Sequence, residues 1–337
     1  MAGTLHFHPN NLFAPCITNL FWFKLHHHVM VQFKKYVESF PVKPLFIVFT
    51  VLFFITPSAI ASVQISRTQI LMGDVPVTLV VKTAKKHTIK VTRAMEETFL
   101  LGKKLSDSLS EFSSASDISR INRSPSHVWI SLKEPLSLFL LEKSVKASNL
   151  TEGAFDITFS SSNKHTSWAD LAIDKHHQRV MKKAAGLKLG VSGIAKGLIV
   201  ELMSHHLTKK GFDRNLVNAG GDVYASGTWI VGIRNPFSPE QKPLTKIKVK
   251  NKSVSTSGLY QRGSHIIDPH THQALGKKEA PLWASVTTIG NEGPMTDALT
   301  TGFFLLPFHK IESIVQQNTG FKVILITLKK QVIKISH

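Results

Sequence analysis

Apolar residues recur along this chain at two spacings, and the switches between them lay out the elements. Short apolar runs predict strands over Ile70–Lys82, with Met72-Gly73 at a turn, and over Trp229–Arg234, Leu244–Lys250, Ser253–Thr256, Ser264–Pro269 and Ala284–Ile289. A hairpin is predicted over Lys322–Ser336, and short strands over Ala169–Leu189 with a turn near Lys175–His177. Helical spacing appears over Thr92–Leu109, through Met95, Phe99, Leu100, Leu105 and Leu109. It appears again over Pro135–Asn149, with proline at the start, and over Pro294–Leu305 and His309–Gln317. Ser110–Asn122 (SEFSSASDISRIN) reads as a polar loop entering a short helix, with Ser116 as its N-cap. Strands often follow strands, and no GxGxxG succeeds the first one. The pattern predicts an α+β fold with substantial antiparallel sheet, not a doubly wound parallel one.

The most informative stretch is Leu189–Gly227 (LGVSGIAKGLIVELMSHHLTKKGFDRNLVNAGGDVYASG). An apolar run ends at Ser192-Gly193, and a helix opens with Ile194, Leu198, Ile199, Leu202 and Met203 on one face. Lys209 and Lys210 fall in its last turn and Gly211 stops it. A strand through Leu216 and Val217 leads into Asn218-Ala219-Gly220-Gly221-Asp222. A helix N-terminus with small residues before it and Lys196 in its first turn suits a phosphorylated ligand. The same residues also serve as ordinary caps and turns.

Composition narrows the classes. The 337 residues carry a formal charge of +19, scattered along the chain without a nucleic-acid-binding motif. The balance therefore reads as solvation plus attraction to anions, and nucleic acid is not expected as a partner. The single cysteine, Cys16, excludes an internal disulfide and a CxxC motif. The seventeen histidines include the runs His26-His27-His28, His176-His177 and His205-His206, which lack the spacing that puts ligands on one helix face.

The N-terminal stretch reads as a targeting segment. Lys34, Lys35 and Lys43 precede the apolar run Leu45–Ile55, and Ala59-Ile60-Ala61 follows it. The run is shorter than the roughly 20 residues a membrane span needs. The expected organisation is a signal peptide within residues 1–61, cleaved after Ala61, and one domain over 62–337; an uncleaved anchor is the alternative. Met30–Ala61 alone makes a normal secretory signal, which makes Met30 a candidate start. Residues 1–61 hold four lysines and one glutamate, net +3, so +16 of the +19 belongs to the remainder. The expected location is periplasmic or exported, with anchoring to the inner membrane only through that segment.

Candidate chemistry lies in four stretches: Gly153-Ala154-Phe155-Asp156; Ser192–Gly197; Ser255–Tyr260 followed by His265-Ile266-Ile267-Asp268-Pro269; and Met295–Thr301. Asp297 and Thr301 are four residues apart on a predicted helix, which puts a carboxylate and a hydroxyl on one face. That oxygen pair suits a hard cation such as Mg²⁺, and a helix N-terminal acid facing the dipole is the alternative. His265 beside Asp268 is a candidate general base, or a structural histidine at a strand end.

Taken in order, these stretches resemble the ApbE-type FAD:protein FMN transferases. Met72-Gly73, SEFSSASDISRIN, TEGAFDIT, SGIAKG, NAGGD, TSGLY, HIIDP and TDALTT are similar to that family's motifs, between Met72 and about Leu306. The resemblance implies a T-fold-related α+β fold of antiparallel sheets with packed helices. It implies FAD as substrate, Mg²⁺ at its pyrophosphate, and transfer of FMN to a threonine or serine hydroxyl of an acceptor protein with release of AMP. The implied acceptors are extracytoplasmic flavoprotein domains of membrane redox complexes. By matched position, Asp297, Thr301 and the Gly193 carbonyl would hold Mg²⁺. Met72, Phe112, Ala154, Phe155, Asp156 and Lys196 would line the FAD site, and His265 would be the base. The chain departs from the family at Asp74, Ile157, Thr271-His272 and above all Gly190, where the family carries an acid that contacts FAD. Asp170 and Asp174 are candidates to replace that acid. The departure at Gly190 motivates an alternative function, an FAD-binding protein or FAD pyrophosphatase on the same fold without transfer.

Overall fold

A computed structural model describes residues 62–260, 263, 266–276 and 280–337. The segment over 1–61 expected to carry the targeting signal, with Cys16 and Met30, and the candidate base His265 lie outside the described residues.

Two antiparallel sheets organise the described chain. The larger has eight strands in the order β1 (Ser62–Leu71), β2 (Val75–Ala84), β6 (Asn215–Ala219), β7 (Asp222–Ile233), β8 (Thr245–Ser257), β9 (Ser285–Gly290), β10 (Lys322–Ile326) and β11 (Val332–Ser336). The smaller pairs β3 (Trp129–Ser131), β5 (Arg179–Lys182) and β4 (Leu171–Asp174) in that order. The helices are α1 (Thr88–Leu109), α2 (Asp117–Arg123), α3 (Pro135–Leu150), α4 (Ala195–Lys209), α5 (Gly293–Leu305) and α6 (Phe308–Gln317). This is the expected α+β class with antiparallel sheets and packed helices.

Strand alternation explains how the large sheet meets the helices. On β2, Val75, Val77, Leu79 and Val81 are all buried, while Pro76 is exposed and Thr78 and Val80 are only partly covered. The β2–β6 register sets Val77 opposite Ala219 and Leu79 opposite Val217, so both strands offer one apolar face to the same core. α5 is buried on nearly every side, from Gly293 through Phe304, as a helix at the centre of a domain must be. α4 is tied to β6 by Asn215. Its Oδ1 accepts from Ser204 Oγ at 2.6 Å, and its Nδ2 donates to the Phe212 carbonyl at 2.7 Å.

Several boundaries differ from the sequence pattern. The Met72-Gly73 turn joins two ten-residue strands, so the first hairpin begins at Ser62. The runs at Leu244–Lys250 and Ser253–Thr256 are one continuous strand, β8. β7 starts at Asp222 and carries an irregularity between Ala225 and Thr228, which let the Trp229 run look like a separate element. The Ser264–Pro269 strand is not formed among the described residues, where Ile267 makes a single bridge to Ala274. β3 had no periodic signal because three residues are too short to show one. Leu100, placed on the apolar face of α1, is exposed, and the small Gly102 is buried.

Candidate functional site

A cleft opens where α4, α5, the 153–159 turn and the β6–β7 turn converge. Its walls include Ala154, Phe155, Asp156, Gly193, Lys196, Asp222, Asp297 and Thr301. Two helices bring their chemistry together because two glycines meet. A Cβ built on Gly197 of α4 would lie 2.2 Å from the Gly293 carbonyl oxygen, and one on Gly293 would lie 2.1 Å from the Gly197 oxygen. Only residues without a side chain allow that crossing. Glu201, one turn further along α4, accepts the Gly293 N–H at 2.6 Å and satisfies a helix-start donor that lacks a side-chain cap of its own.

The crossing delivers Lys196 between two buried carboxylates. Its Nζ lies 2.8 Å from Asp222 Oδ2 and 3.3 Å from Asp297 Oδ2, and it donates to the Ser192 carbonyl at 2.9 Å. Asp297 Oδ2 also accepts the Gly197 N–H at 3.0 Å. Burial pulls the Lys196 ammonium down, but the charges of Asp222 and Asp297 outweigh it and hold its pKa above the usual lysine value. Asp297 is pushed up to about 7, first by burial and then by the neighbouring charge of Asp222, against which Lys196 and the Gly197 N–H work. The cluster therefore sets two carboxyl groups against one ammonium.

Thr301 and Gly193 complete that corner. Thr301 Oγ1 is 3.4 Å from where a Gly193 Cβ would stand and 3.4 Å from the Asp297 carbonyl oxygen, to which it donates. Phe155 Cε2 is 3.3 Å from the same Gly193 position, so the ring closes one wall. Asp156 is oriented by its neighbours. Oδ1 accepts from Thr158 N and Thr158 Oγ1, each at 2.7 Å, and Oδ2 from Trp168 N at 3.3 Å. Burial raises its pKa, opposed by those bonds and by the charge of His270. Among the described residues, no three His, Cys, Asp or Glu side chains are grouped to hold a metal. The oxygen donors available are mixed: carboxylate, hydroxyl and backbone carbonyl.

The sequence-predicted residues divide. Ala154, Phe155, Asp156, Gly193, Lys196, Asp297 and Thr301 share the cleft. Met72 and Phe112 are not among its lining residues. Met72 sits at a positive φ of 52° in the β1–β2 turn and packs against the core. Phe112 is 90% exposed in the bend before α2, its N–H donating to Ser110 Oγ. The reading of the α4 start as an open phosphate site also changes. Ile194 and Ala195 donate to the Val191 carbonyl and Gly197 to Asp297, so those amides are already engaged. Asp170 and Asp174 do not line the cleft. Asp170 caps a short turn through the Ser167 N–H, and Asp174 binds His177 and Arg179.

Asp222 and Phe159 also line the cleft, without a local sequence signal for that role. Asp222 was visible as the last letter of NAGGD, but nothing local marks it as the partner of Lys196. Two family departures acquire a physical account. Ile157 is fully buried, and its carbonyl accepts the Gly190 N–H at 2.7 Å. His272 has φ 55°, the left-handed conformation for which glycine is the natural residue.

Comparison with known proteins adds to this geometry. Residues 74–325 match the family model described as the ApbE family. The chain is 27% identical over 172 residues to the FAD:protein FMN transferase of Klebsiella pneumoniae (strain 342), covering 49% of this chain and 53% of that protein. It is 31% identical over 173 residues to the protein of the same name from Treponema pallidum (strain Nichols), covering 44% and 46%. The chain thus spans about half the length of these curated relatives. Among solved structures, the flavin transferase ApbE from Vibrio cholerae superposes with a TM-score of 0.70 at 20% identity, over 81% of this chain and 97% of that one. The ApbE protein from Thermotoga maritima superposes with a TM-score of 0.69 at 23% identity, over 81% and 97%. Likeness at this level of identity establishes a common fold.

Proposed function

The chain belongs to the ApbE family, and from that premise we propose that it transfers FMN from FAD to a threonine or serine hydroxyl of an acceptor protein and releases AMP. The observation that carries the reading is the buried Asp222–Lys196–Asp297 cluster beside Thr301 and Gly193. Its two carboxyl groups and the hard oxygen donors beside them fit a divalent cation such as Mg²⁺. Asp297, Thr301 and the Gly193 carbonyl would hold that ion, and when bound it supplies charge neutralisation at a pyrophosphate.

The chain's own residues would do the rest. Lys196 bridges Asp222 and Asp297 and fixes them in one geometry. Phe155 and Ile266 wall the cleft with apolar surface, which strengthens electrostatic contacts inside it. Asp156, held by Thr158 and Trp168, presents a pre-oriented carboxyl group to the ligand. In the transfer, the acceptor oxygen bonds to the FMN phosphorus, the pyrophosphate P–O bond breaks, and AMP departs with the bridging oxygen. The acceptor hydroxyl loses its proton to a base, for which His265 is the candidate. Phosphoryl transfer of this kind relies mainly on positioning and charge.

The charged, apolar and Ala-x-Ala segments before residue 62 support an exported protein acting on extracytoplasmic flavoprotein domains of membrane redox complexes. Among the described residues no helix is long and apolar enough to cross a membrane.

The test combines the full chain with FAD, Mg²⁺ and an acceptor domain. It reads AMP release, in-gel flavin fluorescence and the acceptor's mass. A gain of one FMN that vanishes with a chelator is expected. Labelling that persists in Asp297→Ala would sink the metal assignment. AMP and FMN formed without labelling would favour the pyrophosphatase reading, and absence of flavin binding would overturn both.

A further inference from the structure

Gly190 and Phe159 both line the cleft, and they occupy the same space. A Cβ built on Gly190 would lie 2.6 Å from Phe159 Cε1 and 2.9 Å from Cζ. The ring therefore rests on bare backbone, in the volume any larger residue at position 190 would need.

Both partners sit on rigid supports. Gly190 N–H donates to the Ile157 carbonyl at 2.7 Å, Lys188 N–H to Ser161 Oγ at 3.0 Å, and Ser162 N–H to the Gly186 carbonyl at 3.1 Å. These bonds lace the 157–162 segment to the 186–190 segment. Asn122 clamps the neighbouring residue, accepting from Leu189 N at 2.7 Å and donating to Leu189 O at 2.9 Å. Phe159 N–H donates to the Asp156 carbonyl at 3.3 Å, so the ring is rooted beside the oriented carboxyl of Asp156. Yet Phe159 is only partly buried, unlike Phe155 and Ile157 just before it in the chain. A large apolar ring left half open in a polar cleft is the arrangement that receives a flat π-surface.

We propose that Phe159 is a substrate-binding residue that stacks on a planar heterocycle of the dinucleotide, and that Gly190 is glycine to make room for it. The inference rests on the reading that the cleft takes FAD. FAD carries two such heterocycles, adenine and isoalloxazine, and the shared chemistry is a flat aromatic face.

The experiment measures binding of FAD, FMN and AMP, each with Mg²⁺, by calorimetry to the full chain. The variants are Phe159→Leu, Phe159→Tyr, Gly190→Ala and the Gly190→Ala/Phe159→Leu pair, with melting curves to confirm that each folds. Phe159→Leu keeps apolar bulk and removes the π-face, so FAD affinity is expected to fall about tenfold, a typical loss for one stacked base. Phe159→Tyr should bind within about twofold of the parent, since it keeps the face. Gly190→Ala should weaken binding by pushing the ring aside, and the double variant should be no weaker than Phe159→Leu alone because the two share one contact. A loss in the AMP arm alone assigns the ring to adenine, and a loss in the FMN arm alone assigns it to isoalloxazine. Parental affinity in Phe159→Leu, or fully additive losses in the double variant, overturns the inference and leaves the proposed function standing. A parent chain that binds no FAD overturns the proposed function, and the inference with it.

Discussion

Gly197→Ala tests the helix crossing on which the whole site depends. The new methyl would stand 2.2 Å from the Gly293 oxygen, 2.7 Å from its carbonyl carbon and 2.8 Å from Asp297 Cβ, where 3.4 Å is an ordinary contact. Two of those atoms are backbone and cannot rotate away, so α4 and α5 must part by roughly 1 Å. Overpacking a filled interior costs about 1–3 kcal/mol, and this case falls at the upper end. Parting the helices also stretches the Gly197 N–H bond to Asp297, a bond to a charged group worth about 1.5–3 kcal/mol. Taking most of the first and part of the second gives about 4 kcal/mol. For a domain of this size that lowers the melting temperature by roughly 8–16 °C, at about 2–4 °C per kcal/mol. The same shift carries Lys196 away from Asp297, and a misplacement of about 1 Å can cost on the order of a hundredfold in rate. Differential scanning calorimetry and the acceptor-labelling rate check both halves. A Gly197→Ala protein that melts within about 2 °C of the parent and labels at the parental rate would refute the reasoning, because the crossing would then have slack.

Other expectations follow from the same geometry. Asp297 should govern a pH effect with a definite sign. Its pKa is raised from 3.8 to about 7, so stability it contributes is fully present below pH 3.8 and is lost as pH rises through 7. Mg²⁺ binding, which needs the carboxylate, should run the opposite way, strengthening up to about pH 7 and then levelling; Mg²⁺ titrations across pH would detect a flat profile that contradicts this. Asp297→Asn should remove that pH dependence and most of the Mg²⁺-induced rise in melting temperature, which a thermal-shift series measures. Lys196→Met leaves Asp222 and Asp297 facing each other unpaired, and denaturant unfolding should show a loss of about 3–5 kcal/mol at pH 8 that shrinks as the pH is lowered. His272→Gly relieves a left-handed residue and should raise stability by about 1 kcal/mol in the same unfolding assay.

The cluster gives Lys196 a structural role of its own. Its ammonium already bridges Asp222 from the β6–β7 turn and Asp297 from α5, elements 26 and 101 residues away along the chain. It organises the acids, and the acids with Thr301 and Gly193 present the oxygens. Glu201 does the corresponding work for the backbone, pinning the α5 start to α4.

What the sequence determined by itself was the class of fold and several of the residues that come to share one cleft. Alternation on β2, the small residues of SGIAKG, the Pro294 helix start and the carboxylate–hydroxyl spacing of Asp297 and Thr301 are local signals, set by periodicities of about 2 and 3.6 residues. The ordered motifs then pointed to the family, and the family match over residues 74–325 agrees. What only the tertiary structure decided was every relation between distant segments. The pairing of Lys196 with Asp222 and Asp297 depends on two helices touching at Gly197 and Gly293, and nothing near either glycine announces the other. Phe112 and Met72 carry family motifs, yet neither lines the cleft: Met72 packs against the core and Phe112 is exposed. Gly190 looked in sequence like a missing acid. In three dimensions it is the floor beneath Phe159, since the space a side chain would take belongs to a residue 31 positions earlier. Periodicity encodes which face of an element is apolar, but not which neighbour will press against it.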